Sequence, residues 1–348
     1  MEYLEPTLDE WKMLYSTAIK FKESDCWNWM YDSDIFGVRS LESKEIGYCC
    51  IMGNAGEFFG LAVYQGSEGL DGLLRVQTGS VLPGDPDSLH VQKCLMASFE
   101  DRSVLSKKDL KMIKRLGYKF RGRNAWPMFR SYLPGYVPWE LDRVQALFLT
   151  LALEQAIQVS LDVKKDRKKQ KLRKKDHYLV RVQKKDNDKV QWIEEWQKPE
   201  PLTQSFTVEQ LDEVAIQRIK KISTGKQGTV EIDYFYSPSP VREGDERPFF
   251  PYVFLWADGE SGFILKIHVA TPDSYKKELC SEMISFLQSN KIIPNMILVK
   301  KQEALNLIEP IASRLGIQIT QVDTLEAVEG AKKHMFEFFH GGANPFSM

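Results

Sequence analysis

From Gly228 to Phe339 the residue pattern switches in a fixed order, and that order constrains the fold more than any overall property of the chain. "GTVEIDYFY" alternates as a strand does, "SPSPVREGDERPFFP" is a long loop, and "YVFLWAD" and "GFILKIHV" are two further strands around a tight turn. "SYKKELCSEMISFLQSN" then has helical spacing, followed by a strand "NMILVK", a helix "ALNLIEPIASRLG", a strand "IQITQV" and a helix "TLEAVEGAKKHMFEFF". Strands separated by helices run parallel through right-handed crossovers. The hairpin at the front is antiparallel, so an α/β domain with a mixed sheet is expected.

The first half reads as α+β. "TLDEWKMLYSTAIKFKES" is a helix capped at Thr7, and "IGYCCIMGNAGEFFGLAVYQG" is a hairpin turning through Gly53, Asn54 and Gly56. A short helix over 67–74, a strand in "LHVQKCLMASFEDR" and a capped helix "SKKDLKMIKRLG" follow. "RGRNAWPMFRSYLPGYVPWE" reads as a long surface loop held extended by Pro127, Pro134 and Pro138, and Pro138 opens a central apolar helix of about 23 residues. The 348 residues suffice for two cores. The boundary falls at "KPEPLTQS", giving an α+β domain over 1–200 and an α/β domain over 201–348.

Three strands, then helix, strand, helix, strand and helix, resembles the element order of the ribonuclease H and integrase fold, and "ADGESGFIL" looks like the first hairpin of an integrase core. That resemblance implies two-metal phosphodiester cleavage, which needs carboxylates from different strands to converge on ions roughly 4 Å apart. The candidate acids are Asp233 or Asp258 as the first ligand, Glu278 or Glu282 on the next helix, and Asp323 after the last strand. The end of "NMILVK" should carry another acid. It carries Lys300 and Lys301, whose ammonium groups repel Mg²⁺. Asp258, followed by Gly259, Glu260, Ser261 and Gly262, reads as hairpin chemistry, and alternation leaves Asp233 half exposed.

Two cationic stretches are candidates for anion or nucleic-acid contact. Arg121, Arg123 and Arg130 lie among Trp126, Phe129, Tyr132 and Tyr136, where arginine can stack on bases or instead anchor a loop. Between Leu161 and Lys185 twelve Lys or Arg face three Asp, with Lys168, Lys169, Lys171 and Arg173 at the centre. The same run suits a solvated connector, and the whole chain balances 47 Lys and Arg against 48 acids. Lys300 and Lys301 are a third place where a phosphate or an acidic partner group could be held.

Other chemistry is not encoded by spacing. The five histidines are scattered, no HExxH, GxSxG or phosphate loop occurs, and Gly53, Gly56 and Gly60 belong to a hairpin. Cys49 and Cys50 point to opposite sides of a strand, and the five cysteines have no CxxC spacing. Trp27 and Trp29 read as packing residues rather than a stacking pair for a ligand. No cofactor is implied. "MEYLEPTLDEW" has neither a basic start nor an apolar run, and no stretch reaches 18 uncharged apolar residues, so no membrane contact and a cytoplasmic location are expected.

"YCCIMGNAGEFFGLAVYQGSEGL", "FRSYLPGYVPWEL", "RPFFPYVFLWADGESGFILKI" and "IIPNMILVKKQEALNLIEPIASRLGIQITQV" together resemble a two-domain group of uncharacterised bacterial proteins. The resemblance implies the two-domain division and no catalytic residue. The expected function is a non-enzymatic binding or interaction protein with a protein partner. The alternatives are a metal-dependent nuclease or other phosphoryl hydrolase using the second-domain acids, and a nucleic-acid-binding protein acting through residues 164–185.

Overall fold

A computed structural model of the chain describes residues 4–43, 45–81, 87–167, 171–187, 189–202, 213–290 and 292–340. The chain divides into two compact units, Met1–Pro134 with Pro138–Leu202, and Gly135–Val137 with Thr203–Met348.

In the first unit α1 is Leu8–Glu23, closed at its start by a capping box between Thr7 and Glu10. Strands β1 Phe36–Arg39, β2 Gly47–Met52 and β3 Phe59–Gln65 lead to α2 Gly66–Gln77 and the single turn α3 Asp87–His90. Then come β4 Cys94–Glu100, α4 Lys107–Arg115, β5 Trp126–Tyr132 and α5 Arg143–Lys165. The unit closes with β6 Arg173–Lys174 and a long hairpin, β7 His177–Asp186 and β8 Lys189–Gln197. The sheet order is β5-β4-β3-β2-β1-β7-β6, with β8 also paired to β7. Every pair is antiparallel except β1 with β7.

Alternation explains why β2 is apolar throughout. Cys49 and Ile51 enter the core shared with α1 and α5, while Tyr48 and Cys50 enter a smaller core with Leu70 and Leu73 of α2. Burial pushes the Cys49 and Cys94 thiols well up, and Cys50 up to about 12, so these thiols pack rather than react.

Two expectations are corrected here. The central helix starts at Arg143, not Pro138, because Asp142 and Gln145 form a capping box while Trp139 pairs with Ser131 in extended backbone. The expected surface loop contains the strand β5, in which Pro127, Phe129 and Ser131 are buried in alternation; it lies at the sheet edge, where proline is tolerated. α5 is also long and apolar enough to cross a bilayer, and half of its most apolar stretch is buried. Charged residues at its ends and Glu154 within it interrupt the apolar run. Ala146, Leu149, Leu153, Ala156 and Val163 place it in the core of this unit.

In the second unit α6 is Glu213–Ile222, followed by β9 Gly225–Lys226, β10 Thr229–Tyr236, β11 Tyr252–Asp258 and β12 Ile264–Ala270. Then come α7 Tyr275–Ser289, β13 Ile292–Ile293, β14 Met296–Val299, α8 Gln302–Leu315, β15 Gln318–Gln321 and α9 Glu326–His340. The main sheet is mixed, in the order β12-β11-β10-β14-β15. β10, β11 and β12 are antiparallel, whereas β10, β14 and β15 run parallel.

One face, with Ile232, Tyr234, Phe254 and Trp256, packs on α7 and α8 through Leu279, Met283 and Leu307. The other, with Phe235, Val253 and Leu255, packs on α9 through Val328 and Phe336. β12 is the edge strand, and its Leu265, Ile267 and Val269 remain exposed.

Candidate functional site

In an open sheet containing parallel strands, ligands bind outside the carboxyl ends of the strands where successive connections leave in opposite directions. β10 leads to β11 on one side and β14 leads to β15 on the other, so the carboxyl ends of β10 and β14 form such a point. Ile232 is level with Val299, which brings Asp233 and Tyr234 beside Lys300 and Lys301.

The crevice is occupied by its own side chains. Lys301 Nζ lies 3.1 Å from Asp233 Oδ1, donates to the Tyr234 carbonyl and sits 4.3 Å from the centre of the Tyr234 ring. Lys300 pairs with Glu329 at 2.6 Å; this hydrogen bond raises the lysine and lowers the carboxylate.

Asp233 is 6% exposed, not half exposed, because α9 covers its face of the sheet. Glu231, on the same face and equally buried, accepts the Val328 N–H at 3.0 Å and so satisfies an open donor in the first turn of α9.

Beside these ion pairs stands a cluster that sequence spacing does not reveal. Glu303, at the start of α8, accepts hydrogen bonds from the hydroxyls of Tyr234 and Tyr275 and pairs with Lys276 at 2.8 Å. Burial acts to raise the Glu303 carboxyl, but the bonds from Lys276 and Tyr234 outweigh it and hold the group below its ordinary range. Burial and the Glu303 charge push both phenols well up. The carboxylate is therefore ionised and the phenols protonated at neutral pH, so none of the three is poised to exchange a proton there. Tyr252 stacks between Tyr236 and Tyr275, with ring centroids 4.0 and 4.1 Å away.

The candidate acids lie apart. Asp258 is level with Val230, three residues or about 10 Å along β10 from Asp233. Its carboxylate accepts the Ser261 N–H and Oγ–H at 2.7 and 2.6 Å, and the Ser261 hydroxyl is the largest cause of its lowered pKa. Glu278 pairs with His268 at 2.6 Å and Glu282 with Lys266 at 2.6 Å. Both belong to α7, on the sheet face opposite Asp233. Asp323 is exposed beyond β15. Among the described residues no three His, Cys, Asp or Glu side chains are grouped to hold a metal ion.

The cationic candidates also separate. Arg130 makes a two-point ion pair with Asp109 at 2.6 and 2.9 Å, and both side chains are nearly buried. Arg173 lies over the Tyr178 ring at 5.2 Å. Nearby, Lys164 sits 4.0 Å from the Trp29 ring centre and Arg167 pairs with Asp34. Arg121, Arg123 and Lys171 are exposed. Lys168 and Lys169 lie outside the described residues. Trp27 is a core residue, and Trp29 Nε1 donates to the Ser160 carbonyl, so neither offers a free ring face as a pair.

Residues 11–181 match the family model of a domain of unknown function (DUF7309). Residues 215–336 match that of another, a domain of unknown function (DUF6930). The chain carries two distinct domain families. Comparison with curated proteins finds no match. The two matched stretches fall on either side of Leu202; the second contains every strand of its unit, and the first ends within β7, before β8.

Proposed function

We propose that this is a non-enzymatic, cytoplasmic binding protein of bacteria, whose second unit is a ribonuclease H-like domain with the metal position given over to an internal ion pair. The observation that carries this reading is Lys301 seated on Asp233 at the carboxyl ends of β10 and β14. A nuclease would place negative charge there to hold divalent ions. Here an ammonium neutralises Asp233, the Glu231 carboxylate is taken up by the Val328 N–H, and α7 sets Glu278 and Glu282 on the far face. The strand order and the switch from antiparallel to parallel pairing support the fold assignment. In the basic run Lys164, Arg167 and Arg173 are engaged with aromatic rings and an acid of their own unit, which weighs against a nucleic-acid role for them.

Calorimetric titration with Mg²⁺ and Mn²⁺ is expected to show no saturable binding. Tight binding lost in Asp233→Asn would sink this reading in favour of a hydrolase. Salt-dependent binding of single-stranded or double-stranded DNA or RNA would instead favour the nucleic-acid alternative.

A further inference from the structure

A pocket of about 210 Å³ opens in the first unit between α1, α4 and β5. Its wall includes Trp11 and Tyr15 of α1 and Phe129 of β5, with Met112 of α4 beside them. The three rings pack mutually, with Tyr15 edge-on to Phe129 at 4.9 Å and Trp11 at 6.3 Å from each. A dry cavity of roughly 150 Å³ takes a benzene ring, so this volume takes one ring with a short substituent.

Two polar features stand in the lining. Tyr15 is 2% exposed and lines the pocket, so its phenol sets a polar group beside the aromatic wall. Burial pushes its pKa well up, so it is a neutral donor at physiological pH.

The second feature is charge. Asp109 is taken up by Arg130, and Lys108 by Glu140 at 3.0 Å. Lys111 and Arg115, one turn apart on α4, form no ion pair among the described residues, and Glu5 is the one lining acid in the same condition. Uncompensated positive charge therefore predominates.

We propose that this pocket binds a small aromatic carboxylic acid, with its ring against Trp11, Tyr15 and Phe129 and its carboxylate held by Lys111 and Arg115. The Tyr15 hydroxyl supplies a hydrogen bond to a polar atom of the ligand. A site that combines an apolar wall with a few placed polar groups is the usual form of a small-molecule pocket. The assignment stands on the first unit alone. The metal titration reads the second unit, so either result can fail without the other.

The test uses the full-length protein and three probes of one size: 3-phenylpropionate, 3-phenylpropionamide and 3-phenylpropylamine. Ligand-observed saturation-transfer NMR, followed by titration, ranks them. The acid is expected to bind about tenfold more tightly than the amide, since a charge-assisted bond is lost, and the amine more weakly still. Lys111→Glu with Arg115→Glu changes only exposed positions and should abolish the preference for the acid. Tyr15→Phe should weaken the acid several-fold while Lys111 and Arg115 keep its preference over the amide. No saturation by any probe at about 10 mM, equal binding of acid and amide, tighter binding of the amine, or an unchanged preference in the double variant would each overturn the proposal.

Discussion

Arg130→Ala is expected to destabilise the first unit by about 3–5 kcal/mol, because it leaves the Asp109 carboxylate buried without its partner. The guanidinium meets both carboxylate oxygens, and the two side chains are 14% and 12% exposed. The same carboxylate accepts the Ser106 N–H at 2.9 Å in the capping box of α4, so the loss spreads into that helix. Urea unfolding with hydrogen exchange read in α4 and β5 measures the effect. Replacing both partners by apolar residues, Asp109→Leu with Arg130→Met, should recover most of the loss, since an uncompensated charge is what the single variant creates. An unchanged midpoint for Arg130→Ala would show that water already screens the pair.

The pair also sets an acid limit. Burial acts to raise Asp109, but the hydrogen bonds and charge of Arg130 outweigh it and depress the carboxyl below its ordinary value of 3.8. A depressed carboxylate stabilises the fold fully above its unfolded pKa, and that contribution is lost as pH falls through the lower folded value. The stability difference between wild type and Arg130→Ala should therefore be largest at high pH and shrink as the solution is acidified, beginning above about pH 4 because burial raises the partnerless carboxyl of the variant. A difference that shrinks on the alkaline side would contradict the assignment.

Trp256→Ala should destabilise the second unit by about 3–5 kcal/mol, the cost of emptying a large core site. Trp256 is fully buried on β11 against Phe254 and Phe286. Trp256→Phe should cost far less than its loss of volume implies. The indole Nε1 is buried without a hydrogen-bond acceptor, an arrangement that costs about 1–3 kcal/mol and that phenylalanine removes. Denaturant unfolding of the two variants separates these contributions. Equal destabilisation by Phe and Ala would mean that the ring fit, not the orphan donor, governs the site.

Much of the second unit is legible in the sequence because each element there states its own period. "YVFLWADGESGFILKIHV" contains two strands and a turn in which Asp258 binds the next residues, and that bonding is local enough to read from Asp, Gly and Ser alone. Lys300 and Lys301 are visible at a strand end for the same reason. The first unit is harder. Pro127 inside an alternating strand and Pro138 ahead of a helix mislead a local reading, because tolerance of proline depends on which strand is the edge and on where a better cap lies.

The candidate sites depend on a different order of information. Asp109 and Arg130 are 21 residues apart, and nothing in either neighbourhood marks them as partners. Tyr234, Tyr275 and Glu303 come from a strand and two helices. Alternation assigns Asp233 to a face, but only the return of α9 some ninety residues later buries that face, and only the crossover through α7 sends Glu278 and Glu282 to the other. By itself the sequence determined most of the elements, their order in the second unit and the lysines at the end of β14, because periodicity and turn chemistry act between near neighbours. The tertiary structure alone decided which acids meet, which cation neutralises which carboxylate and which aromatic wall stays open, because those outcomes depend on packing between elements distant along the chain.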